Sequence, residues 1–315
     1  HYRLGRAYME QGRWSAAERE FAAMLESQAT SPVRLLQLAH YNLGLLRADD
    51  EPAAAMAHLE QAGKGPEAPV TTAAQQMMDV LSTVQAVEDD AYVAALIGEA
   101  FLNVGELALA RRQFEAALDL NPAYPAAHAY LGHILDQQGR DGRAVMHLAA
   151  AIDFDPSYVL GYYFFGVFFR DRGQFSRARL FFARALRLDP DNAALCVDMA
   201  QTYLAVPDYV SAEAWLLRAV ELAPEEAQFH RILAQFYADH LIRVAERGIP
   251  AARQAVDLAP DDPLAHDVWG WALYLTGNLP AAQIALQRAL ELDPYVPRAH
   301  YHPVSYTHLT LPTKA

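Results

Sequence analysis

A proline recurs at a nearly constant interval through most of the chain, and this period limits the possible folds more than any other feature. Six related segments carry it: LDLNPAYPAA, IDFDPSYVLG, LRLDPDNAAL, VELAPEEAQF, VDLAPDDPLA and LELDPYVPRA. Their prolines are Pro122, Pro156, Pro190, Pro224, Pro260 and Pro294, at steps of 34, 34, 34, 36 and 34 residues. A fixed period of about 20–50 residues is typical of a chain built from stacked repeats.

Each period predicts two helices of about a dozen residues joined by a short turn. The turn carries Gly105, Gly139, Gly173 or Gly277, where glycine permits a left-handed exit from the first helix. The recurring proline then ends the second helix, because it lacks an N–H and crowds the preceding turn. We therefore predict an all-α fold, an α-solenoid of stacked antiparallel helix pairs.

Small residues occupy the positions where the two helices of a unit are expected to cross. They are Gly98, Gly132, Gly166, Ala200, Ala234 and Gly270 on first helices, and Ala110, Ala144, Ala178, Ala212 and Ala282 on second helices. Helix axes about 8–10 Å apart leave no room for large side chains there. Replacing Gly166 with leucine should overpack this contact by about 1–3 kcal/mol. Unchanged thermal unfolding of that variant would contradict the assigned register.

The 34-residue pattern resembles that of the tetratricopeptide repeat (TPR) family. The resemblance covers nearly all of residues 1–302 and is most specific from residue 91 onward, in units such as IGEAFLNVGELALARRQFEAAL and FGVFFRDRGQFSRARLFFARAL. It implies a right-handed superhelix in which each unit buries its apolar face by stacking on its neighbours.

Two interruptions of the rhythm define the expected domain organisation. Residues 1–62 hold a truncated first unit and a divergent second unit, and residues 63–90 hold a linker with one extra helix. Residues 91–302 form the main array of about six units plus the start of another. Within this array, the 36-residue step predicts a longer loop near Gly248 and Pro250.

The last residues, 303–315, differ in composition from the rest and include VSYTHLTLPTKA. This string resembles the translation of a transposon end used to tag DNA in sequencing libraries, so we expect a non-native, disordered tail. The chain also begins HYRLGRAYME, without an initiator methionine. We expect a fragment at both ends. A cytoplasmic location is favoured, and a periplasmic one stays open because we expect the N-terminus to be missing.

Composition excludes several classes of partner. Lysine and arginine number 25 against 38 aspartates and glutamates, a net charge of −13, whereas a nucleic-acid groove needs a concentrated basic face. The uncharged run LGYYFFGVFF has ten residues, half of the roughly 20 needed to cross a bilayer. We expect a protein or peptide partner, no nucleic acid and no membrane insertion, and the oligomeric state stays open.

Candidate catalytic and metal-binding residues have a structural explanation in the repeat. His128, His230, His266 and His300 fall in one column, together with Cys196. We expect all five to pack on first helices, with Cys196 a buried, inert thiol. The sequence has no phosphate loop, nucleophile elbow, zinc protease motif or kinase signature. We expect a non-catalytic chain without a metal or cofactor.

The family resemblance also implies where a partner binds, because first helices line the concave groove of such proteins. The residues carried over to this groove are His133, Gln137, Tyr163, Val167, Arg170, Gln201, Trp271 and Tyr274. The lysine and asparagine clamp of relatives that hold chaperone tails is not matched, since its columns carry Ala95, Ala129, Tyr163 and Val197, or Glu99, His133, Val167 and Gln201.

These features favour a scaffold that binds proteins or peptides in its concave groove. The alternative is a regulatory or substrate-recruiting region of a larger enzyme, such as a glycosyltransferase, kinase or peptidase, or of an envelope-assembly protein. The sequence does not choose between them.

Overall fold

The computed structural model describes residues 1–26 and 32–296, and these contain seventeen α-helices, one π-helical turn and no strand. The helices are α1 (Tyr2–Glu10), α2 (Trp14–Glu26), α3 (Val33–Arg47), α4 (Pro52–Gly63), α5 (Ala68–Val84), α6 (Asp90–Asn103), α7 (Leu107–Leu120), α8 (Pro125–Gln137), α9 (Asp141–Phe154), α10 (Val159–Asp171), α11 (Phe175–Leu188), α12 (Ala193–Leu204), α13 (Tyr209–Leu222), α14 (Ala227–Asp239), α15 (Ile249–Leu258), α16 (Pro263–Leu275) and α17 (Leu279–Leu292). The expected tail at 303–315 and His300 lie outside the described residues. The predicted all-α repeat fold is confirmed.

Consecutive helices pack as pairs joined by tight turns, among them α6 with α7, α8 with α9 and α16 with α17. The turn glycines adopt the left-handed conformation that the repeat predicts. Their φ angles are 80° at Gly105, 69° at Gly139, 69° at Gly173 and 81° at Gly277. Second helices end two residues before the recurring proline, as α7 does at Leu120 ahead of Pro122.

The chain divides into two compact units, unit 1 from His1 to Phe168 and unit 2 from Phe169 onward. The division falls within α10. It differs from the blocks 1–62, 63–90 and 91–302, which were drawn from the repeat pattern and stay predictions.

Glycines at the helix crossings leave space that the facing side chain fills. In unit 1, a Cβ atom added to Gly132 would lie 2.8 Å from Cγ of Leu148, and one added to Gly98 would lie 3.0 Å from Cζ of Phe114. In unit 2, a Cβ on Gly270 would lie 2.6 Å from Cγ of Leu286. These contacts are the ones that the repeat register predicts.

Helix α5 is a single helix between the pair α3/α4 and the pair α6/α7. It packs on α4 and buries Ala74, Met77 and Leu81. The loop before it is held by the buried side chain of Gln37, whose Nε2 donates to the carbonyl of Ala62 at 2.9 Å and whose Oε1 accepts from the N–H of Glu67 at 2.8 Å. One amide thereby joins the end of α4 to the start of α5.

The segment after α14 differs from the expected loop near Gly248 and Pro250. The chain bends instead at Leu241 and Arg243, whose φ angles are 56° and 44°. The π-helical turn Val244–Gly248 then runs directly into α15. Pro250 lies in the first turn of that helix, where its missing N–H leaves no hydrogen bond unmade.

A shared carboxylate stabilises this bend. Oε1 of Glu213 accepts from the buried Tyr237 hydroxyl at 2.8 Å and from Nη1 of Arg243 at 3.1 Å. Burial, together with the hydrogen bond to Glu213, raises the pKa of Tyr237 to about 12. A left-handed residue other than glycine costs of order 1–3 kcal/mol, and the Glu213 contacts offset part of that cost.

Candidate functional site

A cavity of about 250 Å³ opens on the first helices of unit 2, α12 and α14. Its lining has an apolar part, much of it buried, and a set of polar side chains that border it. The apolar residues are Val197, Ala200, Leu204, Leu216, Ile232 and Phe236, and the polar ones are Gln201, Gln235, Asp239 and His240. Concave sites with an apolar lining and a few placed polar groups are typical binding pockets.

Helical spacing explains why these residues share one surface. Val197, Gln201 and Leu204 lie at i, i+4 and i+7 on α12, and Gln235 and Asp239 lie at i and i+4 on α14. Residues at this spacing project from the same face of a helix. Each glutamine side chain offers both donors and an acceptor, so the pair can hydrogen-bond a peptide backbone in either direction.

Arg170 is held within unit 2 by a carboxylate. Its Nη1 lies 2.6 Å from Oδ1 of Asp198 and 3.3 Å from Oε1 of Gln201, and its Nε lies 3.0 Å from Oδ1 of Asp171. The Arg170 and Asp198 side chains are only 25% and 15% exposed. The arginine therefore orients Gln201 and neutralises Asp198, and it has little free charge to offer a partner.

Trp271 and Tyr274 form an aromatic pair on α16, which packs against α14. Their rings are nearly parallel, with centroids 5.3 Å apart and an interplanar angle of 13°. Both side chains are partly exposed. Large rings with few rotatable bonds are frequent anchors in protein interfaces.

Among the predicted residues of unit 1, His133 contacts Gln137, and His133 and Tyr163 both contact Phe164. The ring of His133 stacks on Phe164 with centroids 4.4 Å apart, and Nε2 of His133 lies 2.9 Å from Nε2 of Gln137. Tyr163 is partly exposed, with its ring centroid 5.3 Å from that of Phe164. Val167, expected on the groove surface, is only 6% exposed. Its buried position does not suit a direct contact with a partner.

The predicted set is thus distributed over both units. His133, Gln137, Tyr163 and Val167 belong to unit 1, and Arg170, Gln201, Trp271 and Tyr274 to unit 2. Of these, only Gln201 lines the cavity on α12 and α14. As a binding site the set stays a prediction.

The histidine column makes a recurring hydrogen bond that the sequence reading missed. Nε2 of His128, His230 and His266 lies 3.0, 2.8 and 2.9 Å from the carbonyl oxygen of Pro122, Pro224 and Pro260, respectively. Each histidine stands six residues after its proline, and this constant offset was the available signal. The column therefore ties the start of each first helix to the loop before it.

Other side chains make the same contact in the repeats that lack the histidine. The hydroxyl of Tyr162 donates to the Pro156 carbonyl at 3.1 Å. Where Cys196 occupies the column, Nη2 of Arg218 donates to Pro190 at 3.2 Å instead. Cys196 is buried, and burial raises the pKa of its thiol, which disfavours the reactive thiolate.

Within residues 1–26 and 32–296, no three histidine, cysteine, aspartate or glutamate side chains are grouped so that they could hold a metal ion. The same part of the chain has no helix with both the length and the apolar character needed to span a bilayer.

The repeated helix pairs, their left-handed turn glycines and their small crossing residues define a helical repeat protein. Two family models of the tetratricopeptide repeat match the sequence, one over residues 2–69, 96–159 and 243–297 and the other over residues 169–236. Because the first model alone matches more than half of the chain, the chain belongs to the tetratricopeptide repeat family.

Solved structures share the fold at low sequence identity. The Cut9–Hcn1 hetero-tetramer of the APC/C matches with a TM-score of 0.58 and 16% identity, over 94% of this chain and 59% of that one. The C-terminal part of a TPR repeat-containing protein from Cytophaga hutchinsonii matches with a TM-score of 0.50 and 19% identity, over 78% and 98% of the two chains. No curated protein matches the sequence. At these identities the likeness shows the fold alone, and the chain spans 59% of the Cut9–Hcn1 chain that it matches.

Proposed function

We propose that the chain is a non-catalytic scaffold that binds a segment of another protein on the first-helix surface of unit 2. The observation that carries this proposal is the cavity on α12 and α14, in which buried apolar side chains are bordered by Gln201 and Gln235. Membership of a repeat family with a protein-interaction type of fold supports it.

The cavity suits one apolar side chain of a bound peptide. Val197, Ala200 and Phe236 are largely buried in its lining, so an entering side chain leaves water without exposing new apolar surface. Burial of a leucine- or phenylalanine-sized side chain contributes about 1.5–3 kcal/mol. The two glutamines then supply hydrogen bonds to the peptide backbone, which fix its direction.

Electrostatics favour a neutral or basic segment over an acidic one. Asp239 is exposed at the cavity, and Arg170 is neutralised by Asp198. The chain as a whole carries a net charge of −13. This overall charge would repel an acidic peptide, whereas it would not repel a neutral one and would attract a basic one.

Selection from a random peptide library, followed by calorimetry on the enriched peptides, tests the proposal. The variants Gln201→Arg and Gln235→Arg would place bulk and positive charge at the cavity, and we expect each to weaken binding at least about tenfold. The control is Gln283→Arg, at an exposed position on α17. Enrichment of no peptide, or equal binding by all four proteins, would refute the proposal.

A recruiting region of a larger enzyme would use the same surface in the same way. The peptide test therefore applies to both forms of the hypothesis, because it measures binding and does not depend on what is attached to the chain.

A further inference from the structure

The outward face of α11 concentrates positive charge in a chain that is otherwise acidic. Residues 172–188 contain five arginines and no aspartate or glutamate, against a net charge of −13 for the whole chain. Four of these arginines, Arg177, Arg179, Arg184 and Arg187, belong to α11. The helix is the second of its pair, so this face is separate from the first-helix surface that carries the proposed peptide site.

Two of the four arginines have partners within unit 2. Arg177 donates from Nη1 to Oε1 of Gln174 at 2.9 Å, and Arg179 donates from Nη1 to the carbonyl of Thr202 at 3.2 Å. Their guanidinium groups also lie over aromatic rings, 5.5 Å from the Phe169 centroid for Arg177 and 4.6 Å from the Tyr203 centroid for Arg179.

The other two, Arg184 and Arg187, are exposed and make no hydrogen bond or ion pair within the described ranges. The next acidic residue, Asp189, accepts from Nδ2 of Asn192 at 2.8 Å. The charges of Arg184 and Arg187 are therefore open to a partner.

Exposed leucines share this face with the free arginines. Leu180 is 68% exposed and Leu188 is 42% exposed. Leu180, Arg184 and Arg187 follow at helical intervals of four and three residues, so they form one stripe. The opposite side of α11 is fixed in the core by Ala178, Phe182 and Ala185. We define the α11 stripe as Leu180, Arg184, Arg187 and Leu188.

We propose that the α11 stripe docks an acidic, amphipathic segment of a partner protein. Guanidinium groups bind carboxylates through two parallel hydrogen bonds. The flanking leucines provide apolar surface that a side chain of the segment covers. An exposed Arg218 stands at the equivalent of the Arg184 position one repeat later, on α13, and extends the positive surface.

The same features disfavour nucleic acid and lipid as the partner. A phosphate backbone would be repelled by the overall charge of −13, since its binding depends on many basic contacts. An interfacial membrane helix needs a wide apolar face directed outward. In α11 that face points into the core, and the two leucines are the only large apolar side chains of the stripe.

The experiment uses the full chain and a fluorescent amphipathic peptide that carries glutamate and leucine at i, i+4 spacing, titrated by fluorescence anisotropy. The test variant is Arg184→Glu/Arg187→Glu, because these two side chains have no hydrogen bond or ion pair to lose in the part of the chain that the structure describes. The control is Arg253→Glu/Arg288→Glu, which changes the net charge equally at exposed arginines of α15 and α17. Circular dichroism verifies that both variants are folded.

We expect saturable binding by the natural sequence, a loss of roughly tenfold or more in the test variant, and a change within about twofold in the control. The variant Leu180→Gln should also weaken binding, because the leucine covers apolar surface of the peptide. A matched peptide with lysine in place of glutamate should lose no affinity in the Arg184→Glu/Arg187→Glu variant.

Three results would overturn the proposal. They are the absence of saturable binding, an equal loss in the test and control variants, and binding of a DNA duplex or of phosphatidylserine vesicles that is at least as tight and equally sensitive to Arg184 and Arg187. The peptide site on α12 and α14 is not altered by any of these substitutions, so failure here leaves the proposed function intact.

Discussion

Nη1 of Arg6 lies 2.7 Å from Oε1 of Glu106, so an ion pair joins residues that are 100 positions apart. The same nitrogen donates to Oδ1 of Asn42 at 2.9 Å. A second contact lies nearby, where Nη2 of Arg112 is 3.3 Å from Oδ2 of Asp49. In unit 1 the ion pair thus joins the first helix α1 to the start of α7, and the Arg6 guanidinium is already paired with a carboxylate.

The ion pair predicts a measurable coupling between helix α1 and the start of α7. The Arg6 and Glu106 side chains are only 32% and 14% exposed, so water screens their attraction incompletely. We expect a double-mutant cycle with Arg6→Ala and Glu106→Ala to give a coupling of about 1–2 kcal/mol. The exposed pair Lys64–Glu60 is the control, and we expect its coupling to be much weaker because water screens both charges. Equal couplings in urea denaturation would contradict the contact.

A pair of glycines tests the helix register. In Gly132→Ala the new Cβ would lie 2.8 Å from the side chain of Leu148 and 3.1 Å from its backbone nitrogen. We therefore expect this variant to be destabilised by about 1–3 kcal/mol. Gly142 lies in α9 with nothing within 4 Å of its added Cβ. Gly142→Ala should instead stabilise by about 0.5–1 kcal/mol through helix propensity. Thermal unfolding of both variants measures the difference, and shifts of the same sign would refute the packing.

A buried amide in α7 predicts a stabilising substitution. Gln113 is fully buried, and neither its Nε2 nor its Oε1 has a hydrogen-bond partner in the described structure. Because a buried polar group without a partner costs about 1–3 kcal/mol, Gln113→Leu should raise the free energy of unfolding by roughly 1–2 kcal/mol. The exposed Gln76→Leu should change it by less than about 0.5 kcal/mol. Denaturation that is easier in Gln113→Leu would show that the amide is satisfied.

A histidine pair in unit 1 predicts a dependence of stability on pH. Nδ1 of His128 lies 2.9 Å from Nδ1 of His147. The Nε2–H of His128 donates to the carbonyl of Pro122, so its Nδ1 accepts and His147 donates. Burial, together with the smaller effects of the His128 and Arg143 charges, lowers the pKa of His147 from 6.5 to about 4.

The direction of the effect follows from the preferred neutral form of His147. The unfolded chain takes up this proton near pH 6.5 while the folded chain does not, so stability is full above pH 6.5 and falls toward pH 4. The variant His147→Phe lacks this contribution. We expect its melting temperature to fall less than that of the natural sequence between pH 7 and pH 5. Parallel curves for the two proteins would disprove the lowered pKa. His40 and His58, whose pKa values burial also lowers, act equally in both proteins.

The repeat positions were predictable because each faces the same surroundings in every unit. Gly105, Gly139, Gly173 and Gly277 have left-handed φ angles, and Gly98 and Gly132 face Phe114 and Leu148. The bend at Leu241 and Arg243 was not predictable, since neither residue type marks a positive φ. The Arg6–Glu106 ion pair was not predicted, because the repeat pattern does not relate its two positions to each other.

The candidate site was predictable only in part for a similar reason. Gln201 and Val167 occupy the same repeat column, yet Gln201 is exposed and lines the cavity while Val167 is buried. The position of a residue in the repeat predicts the direction in which its side chain leaves the helix. Whether that side chain reaches the surface depends on the size of the neighbouring side chains. Arg170 lies on the first helix α10, and its charge is neutralised by Asp198, a residue that the column pattern did not link to it.

The unpaired helix α5 also sets how this protein can change its length. Before α5 the first helices of the pairs are α1 and α3, and after it they are α6 and α8. The alternation of first and second helices is therefore shifted by one helix at α5. Duplication or loss of a two-helix unit on either side keeps every remaining helix in its own layer. Removal of α5 alone would place the second helix α4 directly before the first helix α6 without the contacts that α5 makes with both. The array can therefore change its length by whole two-helix units, whereas the loss of α5 would remove contacts that no repeated unit replaces.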